Sequence, residues 1–290
     1  MRIKQHTMPQ HDSLMGTTHC LTFDIEEHFQ VSAFDSSDQR ERWNRLESRV
    51  QRNTEKILEI LEARKIKATF FVLGWVAERH PDLVRSIASA GHEVASHGYE
   101  HRMVTTQTPD QFREDIRKSK AILENLIGVQ VVGYRAPSFT IVEQTKWALQ
   151  LLVEEGYCYD SSIFPIRHDR YGMPGARAHR HRLHTPMGSI WEVPPATVQI
   201  ARARFPVAGG GYFRFFPYPV LRTLLKRAAS EAEPLVMYLH PWELDPTQPR
   251  MQGALVSRFR HYLNLDKTER RLRQLLVDFK FGPIRDVIIL

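Results

Sequence analysis

The sequence predicts an α/β protein built from repeated βα units around a parallel sheet or barrel. Two observations carry this. Short apolar runs alternate with amphipathic stretches of helix length, and nearly every apolar run is followed at once by a residue able to do chemistry. At 290 residues the chain also falls in the range of a single large barrel. The expected organisation is a flexible N-terminal segment over 1–18 and one domain over 19–290, which includes a C-terminal extension from about 241 to 290.

The first strand-like run is 21–23. A helix is expected from about 53 to 64, with Ile57, Leu58 and Leu61 on one face, leading into a strand over 68–73. Pro81 opens a short helix that Gly91 closes, because Pro suits the first helical turn and Gly the residue past the last. Val94 and Ala95 belong to the next strand. The following helix places Phe112, Ile116, Ser119, Leu123 and Leu126 on one face and stops at Gly128. A strand over 131–134, a helix over 145–155 ended by Gly156, and a short strand at 158–159 continue the alternation. Residues 165–188 are rich in Pro, Gly, Arg and His without a period, and read as a long loop over one end of the barrel. Later strands are expected at 190–193, 198–201 and 235–239, and Leu272, Leu275, Leu276 and Phe279 mark a C-terminal helix.

With 42% apolar and 25% charged residues, 15 Gly and 17 Pro, the chain has ample material for a core, which excludes a disordered protein. The net charge of +7 favours an anionic partner, but the charge is dispersed. Its densest patch, Arg177, Arg180 and Arg182 among His179, His181 and His184, reads as a solvated basic loop, so no nucleic-acid partner is expected. Cys20 and Cys158 are far apart, which argues against a disulfide framework or a cysteine zinc cluster. The polar N-terminus lacks the apolar run of a signal peptide, and no stretch is long enough to span a bilayer. The expectation is a soluble cytoplasmic protein without stable membrane insertion.

The strand ends hold the informative residues. Residues 21–23 give way to Asp24, 94–96 to His97, 131–134 to Arg135, Tyr159 to Asp160 and 237–239 to His240. In a (β/α) barrel the C-terminal ends of all strands meet at one face, so residues remote in sequence converge there. His97-Gly98-Tyr99-Glu100-His101 spaces two imidazoles at i and i+4, which a helical turn would put on one face, as zinc and similar divalent metals require. Alone the spacing is weak, since 14 His in 290 residues give on the order of 0.7 such pairs by chance. Asp24-Ile25-Glu26 raises its weight. Two His and one carboxylate leave positions open for water, and the second carboxylate can act as base. Taken singly, His240 suits a buried structural histidine, and Arg135 a carboxylate partner that holds the catalytic Asp in place.

In order, Thr22-Phe23-Asp24 with a second acid, Ser96-His97-x-x-x-His101, Arg135-x-Pro137, Tyr159-Asp160-Ser161-Ser162 and Leu239-His240 resemble the motifs of the polysaccharide deacetylases, the chitooligosaccharide-deacetylase-like carbohydrate esterases. The resemblance runs from about Thr22 to Pro241. Asp24-x-Glu26-x-x-Phe29, His168-Asp169-Arg170-Tyr171-Gly172, Gly209-Gly210-Gly211-Tyr212-Phe213-Arg214 and His240-Pro241-Trp242-Glu243 look most like the deacetylases of bacterial exopolysaccharide and exosortase loci. The resemblance implies a distorted (β/α) barrel, usually counted with seven strands, and a divalent metal, commonly zinc. It implies Asp24 as base, Glu26, His97 and His101 as metal ligands, and Arg135, His240 and Asp160 as further catalytic groups. The implied substrate or oxyanion contacts are Pro137, Ser138, Phe139, His168, Arg170, Tyr171 and Trp242. The chain departs from the family pattern in two places. Ile25 separates two acids that are normally adjacent, and Ser138 precedes Phe139 where an aromatic residue often follows the Arg-x-Pro directly.

The implied chemistry is metal-assisted hydrolysis of an acetamide on an N-acetylated oligo- or polysaccharide. Asp24 takes a proton from water, a backbone N–H near 137–139 stabilises the oxyanion, and His240, oriented by Asp160, protonates the departing sugar amine. A homo-oligomer is compatible with the family, and the aromatic stretch 212–218 suits an interface, a site lining or core. Two other readings stay open. One is an allantoinase-like hydrolase of a small cyclic amide or imide, and the other is an inactive carbohydrate-binding protein, which would need loss of base, acid or ligand. A groove open at both ends favours polymer and a closed pocket a small molecule.

Overall fold

The first strand, β1 (Thr18–Ile25), is buried along nearly its whole length, as a central strand of a parallel sheet covered on both faces should be. The computed structural model describes residues 17–34, 37–168, 171–232 and 234–288. Residues 1–16 of the expected N-terminal segment lie outside these, as does Arg170, and Thr18 already belongs to β1.

The other strands are β2 (Thr69–Val72), β3 (Glu93–Ser96), β4 (Gly133–Tyr134), β5 (Tyr159–Asp160), β6 (His181–Thr185), β7 (Gly188–Glu192), β8 (Thr197–Ile200), β9 (Ala203–Pro206), β10 (Val236–Leu239) and β11 (Lys280–Gly282). Seven of them pair in parallel in the order β10-β1-β2-β3-β4-β5-β7. Among the described residues no ladder joins β7 to β10. The gap is spanned by Ala196 N–H donating to Val236 O and Tyr238 N–H donating to Ala208 O, each at 3.0 Å. The result is a distorted, open (β/α) barrel.

Side-chain alternation sorts the strands into two layers. Cys20, Phe71, Ala95, Tyr159, Val193 and Val236, from successive strands, form one small buried cluster, the barrel interior. Leu21, Phe23, Ile25, Phe70, Val72 and Val94 point the other way into a larger core with helix residues such as Ile57, Leu61, Phe112 and Ile116. The helix Pro109–Ile127 shows how sequence sets these boundaries. Thr108 and Gln111 form a capping box at its start, and Gly128, at φ +71°, closes it.

Three expectations are corrected. Residues 165–188 are not a structureless loop, because β6 lies within them and pairs antiparallel with β7. The strand expected at 198–201 is β8, but it pairs with β9 in a separate two-stranded sheet. The strand expected over 131–134 is reduced to Gly133–Tyr134. Within the C-terminal extension, β11 pairs with the start of β1 and Ile284 N–H donates to Thr69 Oγ1 at 2.8 Å. No helix among the described residues is long and apolar enough to cross a membrane.

Candidate active site and metal centre

Asp24 and Glu26 stand two residues apart on β1 and its exit, so strand alternation turns both to one side while Ile25 enters the helix-side core. The spacing that departs from adjacent acids therefore delivers two carboxylates to one place. Glu26 Oε2 lies 2.7 Å from His101 Nε2 and 3.9 Å from His97 Nε2. One ligand atom from each of Glu26, His97 and His101 falls within 4.8 Å of the others. The short approach of His101 lacks hydrogen-bond alignment, so the buried Glu26 Oε2 has no donor. Buried polar oxygens are normally satisfied, and an orphan facing two imidazoles fits a divalent cation between the three groups.

Electrostatics agree with that donor set. Burial pushes the Glu26 carboxyl up, but His101, His240 and His97 outweigh it and hold the group well below the usual carboxylate range. Burial lowers His97 to about 4, which keeps it neutral as a ligand must be. Its Nδ1 lies 2.8 Å from Arg135 O, a partner that accepts a proton and so leaves Nε2 free for metal.

The two imidazoles do not meet by way of a helical turn. Gly98 has φ +75° and His101 φ +52°, and the segment between them is irregular. Asp115, which sequence reasoning missed, shapes this loop from the helix Pro109–Ile127 by accepting Tyr99 N–H at 2.9 Å. A Cβ on Gly98 would meet Asp115 Oδ2 at 2.7 Å, so glycine is required by space as well as by φ.

Arg135 behaves as its position suggested. Its Nη1 donates to Asp24 Oδ1 and to Thr22 Oγ1, each at 2.7 Å, while Nη2 donates to Ser161 Oγ at 2.9 Å. The guanidinium lies 4.1 Å from the centre of the Phe71 ring and is fully buried. Asp24 keeps Oδ2 turned toward His240, whose Nε2 is 3.9 Å away and also 3.7 Å from Glu26 Oε1.

The partner of His240 is a correction. Asp160 does not orient it. Asp160 accepts from Ser162 Oγ, which in turn accepts Ala136 N–H at 2.7 Å, so this carboxylate braces the Arg135 turn. Burial raises Asp160 to about 6, and burial together with the Asp160 charge holds neighbouring Glu192 well above its ordinary value. His240 is held instead by Glu243, whose Oε1 lies 2.7 Å from Nδ1, and Glu243 Oε2 accepts from Arg214 Nε at 2.7 Å. Burial pulls His240 down, yet Glu26, Glu243 and Asp24 carry it up to about 9. Its side chain is 15% exposed, so the site opens on its side.

Trp242 is buried and is not placed as a substrate contact. Its Nε1 donates to Glu26 Oε1 at 3.0 Å, and its ring stacks between His240 and His261 at 4.9 and 4.2 Å. Ser138 and Phe139 both adopt φ +54°, and Phe139 N–H is already donated to Ala136 O at 3.0 Å. Pro137 has no N–H, which leaves Ser138 N–H as the donor of that turn. Tyr171 stacks on His168 at 3.9 Å and on Phe164 at 6.0 Å, and it lies 6.1 Å from Phe139, forming an aromatic wall beside the turn. The expected contact Arg170 lies outside the described residues.

Comparison with known proteins agrees with this geometry. Residues 18–155 match the polysaccharide deacetylase family, and residues 161–289 match a domain of unknown function (DUF3473). That first stretch, just under half of the chain, is similar to the polysaccharide deacetylases. A Bacillus cereus peptidoglycan-N-acetylglucosamine deacetylase is 40% identical over 98 residues, which cover 33% of this chain and 36% of that protein. The matched stretch spans about a third of the length of such curated relatives. A solved Mycobacterium smegmatis structure described as a polysaccharide deacetylase has a TM-score of 0.62 at 21% identity, covering 99% of this chain and 93% of that one. An allantoinase structure has a TM-score of 0.58 at 18% identity, over 97% and 96% of the two chains. The fold alone therefore does not select the substrate. The site draws on both matched halves, with Asp24, Glu26, His97, His101 and Arg135 from the first and Arg214, His240, Trp242 and Glu243 from the second.

Proposed function

We propose that the protein is a metal-dependent hydrolase that removes N-acetyl groups from an amino-sugar-containing exopolysaccharide or its precursor. The observation that carries this reading is the orphaned Glu26 Oε2 facing His97 and His101, with Asp24 and His240 flanking the same point. The family supports the amide as the bond attacked, since its relatives include a peptidoglycan-N-acetylglucosamine deacetylase.

Two imidazoles and a carboxylate suit zinc, which we take as the metal. When bound, a divalent cation supplies a Lewis acid and lowers the pKa of water. Asp24, fixed by Arg135, accepts the proton of the attacking water. Ser138 N–H faces the charge that develops on the acetamide oxygen. His240, held by Glu243, delivers a proton to the departing amine, so acetate and a free amino sugar leave.

The test is acetate release from an N-acetylglucosamine oligomer by zinc-reconstituted wild type, Asp24→Asn and His240→Ala. Loss in both variants supports these roles, and an unchanged rate in either removes that residue from the mechanism. Elemental analysis of the His97→Ala, His101→Ala double variant checks the metal, and full retention would move the site elsewhere.

A further inference from the structure

The helix Leu255–Tyr262 presents an uncovered apolar stripe. Leu255 is 80%, Val256 61% and Phe259 62% exposed. At about 100° per residue, positions i, i+1 and i+4 fall on one arc of roughly 100°. Arg258 borders that arc on one side and Arg260 on the other, and His261 occupies the opposite, buried face. Neither arginine is paired with a carboxylate among the described residues. The helix is tied to the site by stacked rings, from His261 to Trp242 and from Trp242 to His240. The stripe lies on the opposite face of the helix from these rings, turned to solvent.

We propose that this stripe is a docking surface for an anionic lipid bilayer, which would hold the protein at a membrane surface. Leu255 and Val256 are aliphatic, and branched alkyl groups suit hydrocarbon rather than the polar edges of a sugar chain. The flanking arginines suit anionic headgroups, and Arg250, exposed and 4.1 Å from the ring of Tyr262 at the last turn of the helix, adds a third positive charge. A second copy of the chain is a poorer occupant. A twofold contact on so short a helix would bring Arg258 and Arg260 of each copy against those of the other.

The inference goes beyond the proposed function, and the surface does not rest on the deacetylase reading.

The experiment is vesicle flotation of the full chain with phosphatidylcholine alone and with about one-third phosphatidylglycerol. The wild type is expected to float with the anionic vesicles and to bind about tenfold more weakly as salt rises to 0.5 M, through screening. The Leu255→Ser, Val256→Ser, Phe259→Ser triple variant should lose at least about tenfold in binding while keeping its near-ultraviolet circular dichroism. Arg258→Gln with Arg260→Gln should weaken binding and flatten the salt dependence. Unaltered flotation of the triple variant overturns the proposal. So does a wild-type dimer that ignores vesicles and dissociates in the triple variant. Acetate release from a soluble oligomer, measured on the same preparation, separates the two readings. Release without flotation defeats the surface alone, and flotation without release defeats the deacetylase reading alone.

Discussion

Glu243 grips His240 from within one helical turn, its Oε1 accepting the backbone N–H at 3.0 Å and lying 2.7 Å from Nδ1. Arg214 in turn fixes the other oxygen of Glu243. Burial lowers the imidazole pKa, and the surrounding carboxylates Glu26, Glu243 and Asp24 raise it to about 9. A cation bound at Glu26 would cancel much of that residue's share, which leaves Glu243 the more important partner in the loaded protein.

Glu243→Gln keeps the shape of this contact and removes its charge. The His240 pKa then falls. If protonated His240 is the acid, the alkaline limb of the kcat profile moves to lower pH by about one pH unit, while the acidic limb stays in place. Acetate release measured from pH 5 to 10 checks this, and a profile that only drops in height would assign Glu243 a purely structural role.

Arg135 and Asp24 form a buried ion pair, and their two variants should differ in kind. Asp24→Asn keeps a hydrogen-bond acceptor for the guanidinium but loses the base, so activity falls by about 10² to 10⁴ with metal retained. Arg135→Met strands the carboxylate in the barrel interior, and urea unfolding should show a loss of about 3–5 kcal/mol.

Trp242 acts on the metal through Glu26. Trp242→Phe removes the donor to Glu26 Oε1 and retains a ring between His240 and His261. Metal affinity, read by competition with a chromophoric chelator, is expected to fall about 10- to 100-fold, with little change in melting temperature.

The parts of the site that could be read from sequence are those that end apolar strands. Asp24, His97, Arg135 and His240 each follow a run whose burial makes it visible, and the barrel brings the ends together. Asp160 follows the same rule and still turns to Ser162 and Glu192, because a strand-end position says where a residue is and not which neighbour it chooses. The true partner of His240 was local, three residues on, but its contact with Arg214 needs the fold. So does Trp242 with Glu26, 216 residues apart. β6 was illegible for a different reason. His181–Thr185 alternates half-buried and exposed residues, only one of them, Leu183, apolar, so it carries no apolar period. The spacing of His97 and His101 suggested a helical turn, and only the positive φ of Gly98 and His101 reveals the loop.

That loop depends on Asp115, which leads to a pair of linked expectations. Gly98→Ala forces a left-handed alanine, costing roughly 1–2 kcal/mol, and drives its Cβ against Asp115 Oδ2. Metal affinity and melting temperature should therefore fall together. Asp115 itself is raised by burial from 3.8 to about 6, with Tyr99 and Glu100 N–H groups opposing the rise. A carboxyl whose folded pKa exceeds its unfolded value binds protons more tightly when folded, so it subtracts stability as pH climbs from about 4 to 6. Asp115→Asn removes that titration but leaves an acceptor for Tyr99 N–H. In urea unfolding of the metal-free protein, the wild type should lose stability over this window relative to Asp115→Asn, and the difference should level off above about pH 7. Parallel stability curves for the two proteins would mean that Asp115 does not titrate in this range.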